Sequence, residues 1–281
     1  MNLSDANTLK NLLSKHGFSF KKSLGQNFLI DSTVCPAMAD ASSDKYTGVL
    51  EIGPGVGVLT RELSKTAKRV VAIELDERLK KLLPITLEGC DNVEVIFGDA
   101  MKLDLGKIIS EKFADCERVA VCANLPYYIT SPIVMMLLES RLPIESITVM
   151  VQKEAAERLC ARVGSREAGA VTVAVEYFAE SEILFSVNRN SFMPSPNVDS
   201  AVIKLNIRKE PPIKVKDEKK FFRLVKAAFA QRRKTFLNTV SNTMQIEKDK
   251  LRKILEEESI QETVRGEQLT IEQLARISDK I

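Results

Sequence analysis

The segment Val49-Leu50-Glu51-Ile52-Gly53-Pro54-Gly55-Val56-Gly57 constrains the fold more than any other part of the chain. It reads as a buried strand running straight into a glycine-rich turn, where backbone without Cβ atoms can lie close to a nucleoside cofactor. Such a turn joins the first strand to the first helix of a doubly wound, Rossmann-like sheet. The following segments keep the required alternation. Arg69 to Ile73 is a second apolar strand ending in Glu74, and Val93 to Phe97 a third, ending in Gly98-Asp99-Ala100. Helices are expected at Asp31 to Ala41, Thr60 to Thr66, Glu77 to Leu83, Ser131 to Glu139, Glu154 to Ala161 and Val171 to Phe178. Further strands are expected at Val119 to Ala123 and Ile147 to Val151. Ile183 to Val187 and Ala201 to Ile207 close the sheet with one antiparallel edge strand, so the fold class is α/β.

The carboxylates at the strand ends narrow the chemistry. Glu74 stands 21 residues past Gly53, where it can accept both hydroxyl protons of a ribose. Asp99 can pair with the exocyclic amine of an adenine ring. Both features suit NAD and S-adenosylmethionine alike. The tetrad Asn124-Leu125-Pro126-Tyr127, after another apolar strand, separates them, because hydride transfer has no use for it. The lone pair of an adenine amine is delocalised into the ring, so the amine is a poor nucleophile. Acceptors for its hydrogens, from the Asn124 side chain and the backbone beside Pro126, favour a pyramidal nitrogen with a localised lone pair. Proline stiffens the chain so that a carbonyl can point into the site, and Tyr127 offers a face for stacking. An activated methyl then needs mainly alignment. These residues describe a methyltransferase acting on an exocyclic amine of a nucleobase.

The motifs resemble those of the bacterial small-subunit ribosomal RNA adenine dimethyltransferases, the family associated with kasugamycin sensitivity. Gly25-Gln26-Asn27-Phe28-Leu29, Glu51-Ile52-Gly53-Pro54-Gly55, Ile73-Glu74-Leu75-Asp76, Gly98-Asp99-Ala100 and Asn124-Leu125-Pro126-Tyr127 follow in the family's order. Phe192-Met193-Pro194-Ser195-Pro196-Asn197-Val198-Asp199-Ser200, Ala228-Phe229 and Arg232-Arg233-Lys234 come after them. The resemblance implies that Asn27, Leu29, Gly53, Gly55, Glu74, Asp99, Ala100 and Asn124 bind S-adenosylmethionine. It also implies that Asn124, Leu125, Pro126, Tyr127 and Phe192 form the catalytic target-base site, with Phe192 stacking on the base. The implied product is N6,N6-dimethyladenosine at two adjacent adenosines in a hairpin loop near the 3′ end of 16S rRNA. The implied partner is the small ribosomal subunit, met by a monomer with no metal.

Charge is unevenly distributed. The formal net charge is +3, yet Arg208 to the end holds 18 basic and 12 acidic residues, and Arg208 to Lys234 alone holds 11 and 3. Such a stretch suits a phosphate-facing surface, and its Arg223, Lys226, Arg232, Arg233 and Lys234, with Lys21 and Lys22 of the N-terminal arm, are the candidate RNA contacts. The five cysteines form no close pairs of the kind that holds zinc, and His16 is the only histidine, which argues against a zinc deaminase acting on adenine. No signal peptide or membrane-length apolar run is visible, so a cytoplasmic location is expected.

Lys209-Glu210-Pro211-Pro212 marks a domain boundary, because two prolines continue neither a helix nor a central strand. The expected organisation is a flexible basic arm over 1–22, a methyltransferase domain over 23–208 and a helical RNA-binding domain over 209–281. In the last, apolar residues recur at helical spacing from Phe221 through Phe229 to Val240, placing Arg232 and Arg233 between core-facing phenylalanines. Two alternatives are a large-subunit rRNA methyltransferase conferring antibiotic resistance, and a factor that chiefly assists small-subunit assembly with catalysis secondary.

Overall fold

The computed structural model describes residues 3, 5–16 and 27–281, so Lys21, Lys22, Gly25 and Gln26 lie outside the described residues. The chain divides into two compact units, one spanning Met1–Ala156 and Glu182–Ile207, the other Glu157–Ser181 and Arg208–Ile281. In chain order the elements begin with α1 (Ala6–Lys15), β1 (Phe28–Leu29), α2 (Val34–Ser42), β2 (Thr47–Ile52), α3 (Val58–Thr66) and β3 (Arg69–Glu74). They continue with α4 (Leu83–Thr86), β4 (Val93–Phe97), α5 (Leu105–Lys112), β5 (Arg118–Asn124), α6 (Thr130–Glu139) and β6 (Ser146–Gln152). Next come α7 (Lys153–Leu159), α8 (Ala170–Phe178), β7 (Ala179–Val187), β8 (Phe192–Met193) and β9 (Ser200–Ile207). The last helices are α9 (Glu218–Ala228), α10 (Phe236–Met244), α11 (Lys248–Glu257) and α12 (Ile271–Lys280).

A seven-stranded sheet runs in the order β4-β3-β2-β5-β6-β9-β7. The pairs β2–β3, β3–β4, β2–β5 and β5–β6 are parallel, and β9 pairs antiparallel with β6. Central strand β2 is buried along its whole length, as a parallel strand covered on both faces must be. The antiparallel strand was expected at the edge. It stands one place in from it, and β7 forms the edge. Burial explains the order: β9 carries the buried Ala201, Val202, Ile203 and Leu205, whereas β7 exposes Glu180, Glu182, Ile183 and Ser186. Charges on an outer strand discourage edge-to-edge pairing.

Residues 6–15 of the expected arm form a helix. Asp5 caps it by accepting from the Thr8 N–H at 2.7 Å, and Leu9, Leu12 and Leu13 share a buried cluster with Leu79, Leu82 and Leu83. Three leucines at positions that repeat every three to four residues give one apolar face, and burying it fixes the segment. The stretch from Glu77 also differs from a single helix. It is a 3-10 turn, Glu77–Lys81, followed by α4 with Pro84 in its first turn.

The second unit contains α8, which the cut at residue 209 assigns to the catalytic domain. Helix α8 has a largely apolar surface, and its Tyr177 and Phe178 rings meet Phe221 and Phe222 of α9. Phe178 stacks on Phe222 at 5.2 Å between centroids, and Tyr177 lies 5.6 Å from Phe221. Arg208 donates its N–H to the Phe178 carbonyl at 2.8 Å, joining the two segments of the unit. Arg232, Arg233 and Lys234 lie in the turn between α9 and α10 and not on a helix. Among the described residues no helix is long and apolar enough to cross a membrane.

Gly57 precedes α3 at φ +87°, and a Cβ there would meet Leu87 Cδ2 at 2.8 Å. Left-handed backbone costs a residue with a Cβ about 1–2 kcal/mol. Gly57→Ala is therefore expected to lose stability of that order in urea unfolding. An unchanged midpoint would show that the turn relaxes without cost.

Candidate active site

The parallel register brings the carboxyl ends of β2, β3, β4 and β5 to one edge of the sheet, the usual place for a ligand in a doubly wound fold. Backbone hydrogen bonds tie the loops that leave these strands. Gly53 N–H donates to Ile73 O at 2.9 Å, and Gly98 N–H to Glu74 O at 2.8 Å. Glu74 is buried, and its two carboxylate oxygens accept from Gly55 N–H at 3.0 Å and Asp76 N–H at 2.7 Å. Burial raises its pKa, while those two N–H groups pull the other way. Glu74 thus holds the glycine loop by its backbone and keeps further acceptor capacity on each oxygen. Gly55 sits at φ +57°, and a Cβ there would stand 3.3 Å from the Phe28 ring, so a bulkier residue would intrude on the loop.

Just past the end of β4, Asp99 accepts from Met101 N–H at 3.0 Å, with Lys102 Nζ 3.5 Å away. Asn124 ends β5, opposite Met150 of β6. The Pro126 carbonyl is engaged by Ile129 N–H at 3.1 Å, and the Tyr127 hydroxyl pairs with Ser200 Oγ at 2.9 Å. Phe192 is buried, and its short strand β8 pairs antiparallel with β1, setting Leu29 opposite Phe192 and Phe28 opposite Met193.

One cavity of about 390 Å³ collects these groups. Asn27, Leu29, Gly53, Gly55, Glu74, Asp99, Ala100, Asn124, Leu125, Pro126, Tyr127 and Phe192 all line it. So do residues that sequence reasoning passed over. Leu75, Met101 and Tyr128 are 54%, 47% and 58% exposed and lie along the same cavity, an apolar surface that an aromatic ligand would cover. Glu51 also lines it, fully buried on β2, with neither carboxylate oxygen hydrogen-bonded. A charge within a wholly apolar strand was the available signal for it. Burial pushes its pKa up to about 8, with Glu74 adding to the effect and Thr60, outside hydrogen-bonding geometry, opposing it.

The candidate RNA contacts are in the second unit, apart from Lys21 and Lys22, which lie outside the described residues. Arg223 and Lys226 are exposed on α9, and Arg233 and Lys234 are exposed in the turn that follows. Arg232 is exposed yet anchored, its Nη2 donating to the Ala168 carbonyl at 2.7 Å.

The sheet order, with its antiparallel strand inserted beside the edge, and the glycine loop beneath the cavity define a class I methyltransferase domain. The family model described as ribosomal RNA adenine dimethylase matches residues 17–281, and the chain belongs to that family. It is 48% identical over 276 residues to the Ribosomal RNA small subunit methyltransferase A of Bacillus licheniformis, covering 97% of this chain and 94% of that protein. The protein of the same name from Geobacillus sp. is 47% identical over 276 residues, covering 97% and 95%. Among solved structures, a dimethyladenosine transferase from Plasmodium falciparum superposes with a TM-score of 0.73 at 27% identity, covering 89% of this chain and 95% of that one. The 23S rRNA methyltransferase ErmE superposes with a TM-score of 0.67 at 28% identity, covering 90% and 99%.

Glu51 gives the stability a defined pH dependence. Its folded pKa of about 8 lies above the ordinary 4.5, so the folded chain binds the proton more tightly than the unfolded chain. The associated stability is fully present below pH 4.5 and is lost as pH rises to about 8. The slope is about 1.4 kcal/mol per pH unit within that window. Glu51→Gln removes the titration, so the stability of the variant relative to wild type should rise across the window in urea unfolding. Parallel profiles for the two proteins would show that the carboxyl is not held neutral.

Proposed function

We propose that this chain transfers methyl groups from S-adenosylmethionine to the N6 amines of two adjacent adenosines in the 3′-terminal hairpin loop of 16S rRNA, giving N6,N6-dimethyladenosine. The observation that carries the reading is the single cavity in which the glycine loop, Glu74 and Asp99 meet the Asn124–Tyr127 tetrad and Phe192. Family membership over 17–281 supports the reaction. The choice of small subunit is supported by the 48% identity to relatives named for it, against 28% to the large-subunit enzyme ErmE.

The residues fit the cofactor. Glu51 is a buried carboxyl with no hydrogen-bonded partner, whose charged form a cationic ligand alongside would favour, and it lies on β2 between the strands that carry Glu74 and Asn124. Asn27, Leu29, Gly53, Gly55, Glu74, Asp99 and Ala100 would hold the nucleoside and amino-acid parts. When bound, S-adenosylmethionine supplies a methyl group already activated on its sulfonium. The protein supplies the nucleophile's geometry. Because Ile129 engages the Pro126 carbonyl, the Leu125 carbonyl is the backbone acceptor beside the Asn124 side chain, and the two together take the hydrogens of the adenine amine. Tyr127 and Phe192 stack against the base. No strong base is required, because the proton leaves an amine that methylation has made acidic.

The test is transfer from labelled cofactor onto small subunits lacking the modification, followed by mapping of the labelled base. Asn124→Ala should retain the fold and lower single-turnover methyl transfer by about two orders of magnitude, comparable to other losses of electrostatic stabilisation. Wild-type rates in that variant would misplace the site, and label in large-subunit RNA would select the other reading.

The exposed cations of the second unit are proposed to rest on rRNA phosphates. Replacing Arg233 and Lys234 by alanine should weaken subunit binding and lower the salt slope by about 0.7–0.9 per lost contact, with cofactor affinity unchanged. An unchanged slope would leave this turn as a solvated surface.

A further inference from the structure

The two aromatic walls of the base site come from distant parts of the chain, and one dipeptide bonds to the first ring and to the turn that leads into the second. Tyr127 follows β5, while Phe192 opens β8 directly after the 3-10 turn Arg189–Ser191. Ser200 begins β9, opposite Gln152 of β6, and is fully buried. Its hydroxyl lies 2.9 Å from the Tyr127 hydroxyl. The preceding residue, Asp199, accepts the Arg189 N–H on its carboxylate at 3.0 Å and the Lys153 N–H on its carbonyl at 3.0 Å. The turn it holds is fixed from the other side too. Ser191 donates its hydroxyl to Asp31 at 3.0 Å, and its carbonyl accepts from Ile30 N–H at 2.8 Å.

We propose that Asp199 and Ser200 act together as the positioning pair of the target-base site, Ser200 fixing the tilt of the Tyr127 ring and Asp199 fixing the turn that presents Phe192. The physical reason is leverage. A tyrosine ring tethered only at Cβ swings about χ1 and χ2, whereas a second bond at the hydroxyl holds both ends of the ring. A short loop whose first N–H is bonded to a rigid strand cannot slide relative to that strand. Because Asp199 immediately precedes Ser200, which opens a strand laddered to β6, the spacing between the walls is set by one stretch of backbone. The inference rests on the assignment of Tyr127 and Phe192 to the adenine.

The experiment uses the full chain and small subunits lacking the modification. Four quantities are read: single-turnover rate, half-saturation for subunits, cofactor affinity by calorimetry and thermal midpoint. Ser200→Ala and Tyr127→Phe should each slow the single-turnover step by about tenfold, the rate equivalent of one neutral hydrogen bond. Cofactor affinity and half-saturation should be unchanged, and the double variant should be no slower than either single. Asp199→Ala should slow the step as well, and Asp199→Asn, which keeps an acceptor oxygen for Arg189, should return it to within about twofold of wild type. Multiplicative losses in the double variant, wild-type rates in both singles, or rates that merely follow the thermal midpoint would overturn the proposal. A wild-type chain that transfers no methyl to these subunits would instead remove the function on which it stands.

Discussion

Everything at the candidate site depends on the parallel pairing of β2 with both of its neighbours. Gly48 to Ile52 pair in register with Arg69 to Ile73, and Thr47 to Glu51 with Arg118 to Cys122. That register places the glycine turn, Glu74 and Asn124 at one edge. A slip of one residue would turn the side chains of β2 to the opposite face of the sheet and separate them. The sheet is secured by burial, since Val49, Leu50, Val70, Val71, Val121 and Cys122 are wholly enclosed. Each such side chain contributes on the order of 1.5–3 kcal/mol relative to exposure. The polar groups of the site are then held by backbone: Glu74 bonds to Gly55 and Asp76 and so is oriented before any ligand arrives. Preorganisation of this kind is where a transfer between two bound partners gains most of its rate.

The central sheet was legible because buried parallel strands appear as unbroken apolar runs with glycine or acidic residues where they end. Val49 to Ile52, Arg69 to Ile73 and Val93 to Phe97 come close to that form, interrupted only by Glu51, the leading Arg69 and Glu94, and the residues at their ends do line the cavity. The ribbon of β1 and β8 was not legible. Two residues per strand carry no periodicity, and the pairing of Leu29 with Phe192 joins positions far apart in the chain. Helix α8 is legible as a helix, but not which elements cover its apolar face, because such a face says that it must be covered without naming the cover. The place of Arg232 was misread for a related reason. Phe229 and Phe236 are seven apart and suggest a continuous helix, yet the chain leaves the helix after Ala228 and restarts at Phe236.

Burial raises the pKa of two carboxyls in this cavity, and they differ in what opposes the shift. Glu74 is met by two N–H groups that favour its charge, whereas Glu51 has none and is pushed toward the neutral form. The contrast sits on adjacent strands of one sheet. Polar groups of this kind destabilise an empty fold, and a protein keeps them where a ligand completes their bonding.

The second unit is assembled from two stretches of chain that lie on either side of residues 182–207. Its aromatic cluster takes Tyr177 and Phe178 from the earlier stretch and Phe221 and Phe222 from the later one. The two units are therefore threaded through each other in sequence and are not beads on a string. Shortening the gene at the double proline would leave a product that still carries half of an apolar contact with nothing to close it. Exchange of the helical part between relatives would need two coordinated splices, one on each side of residues 182–207.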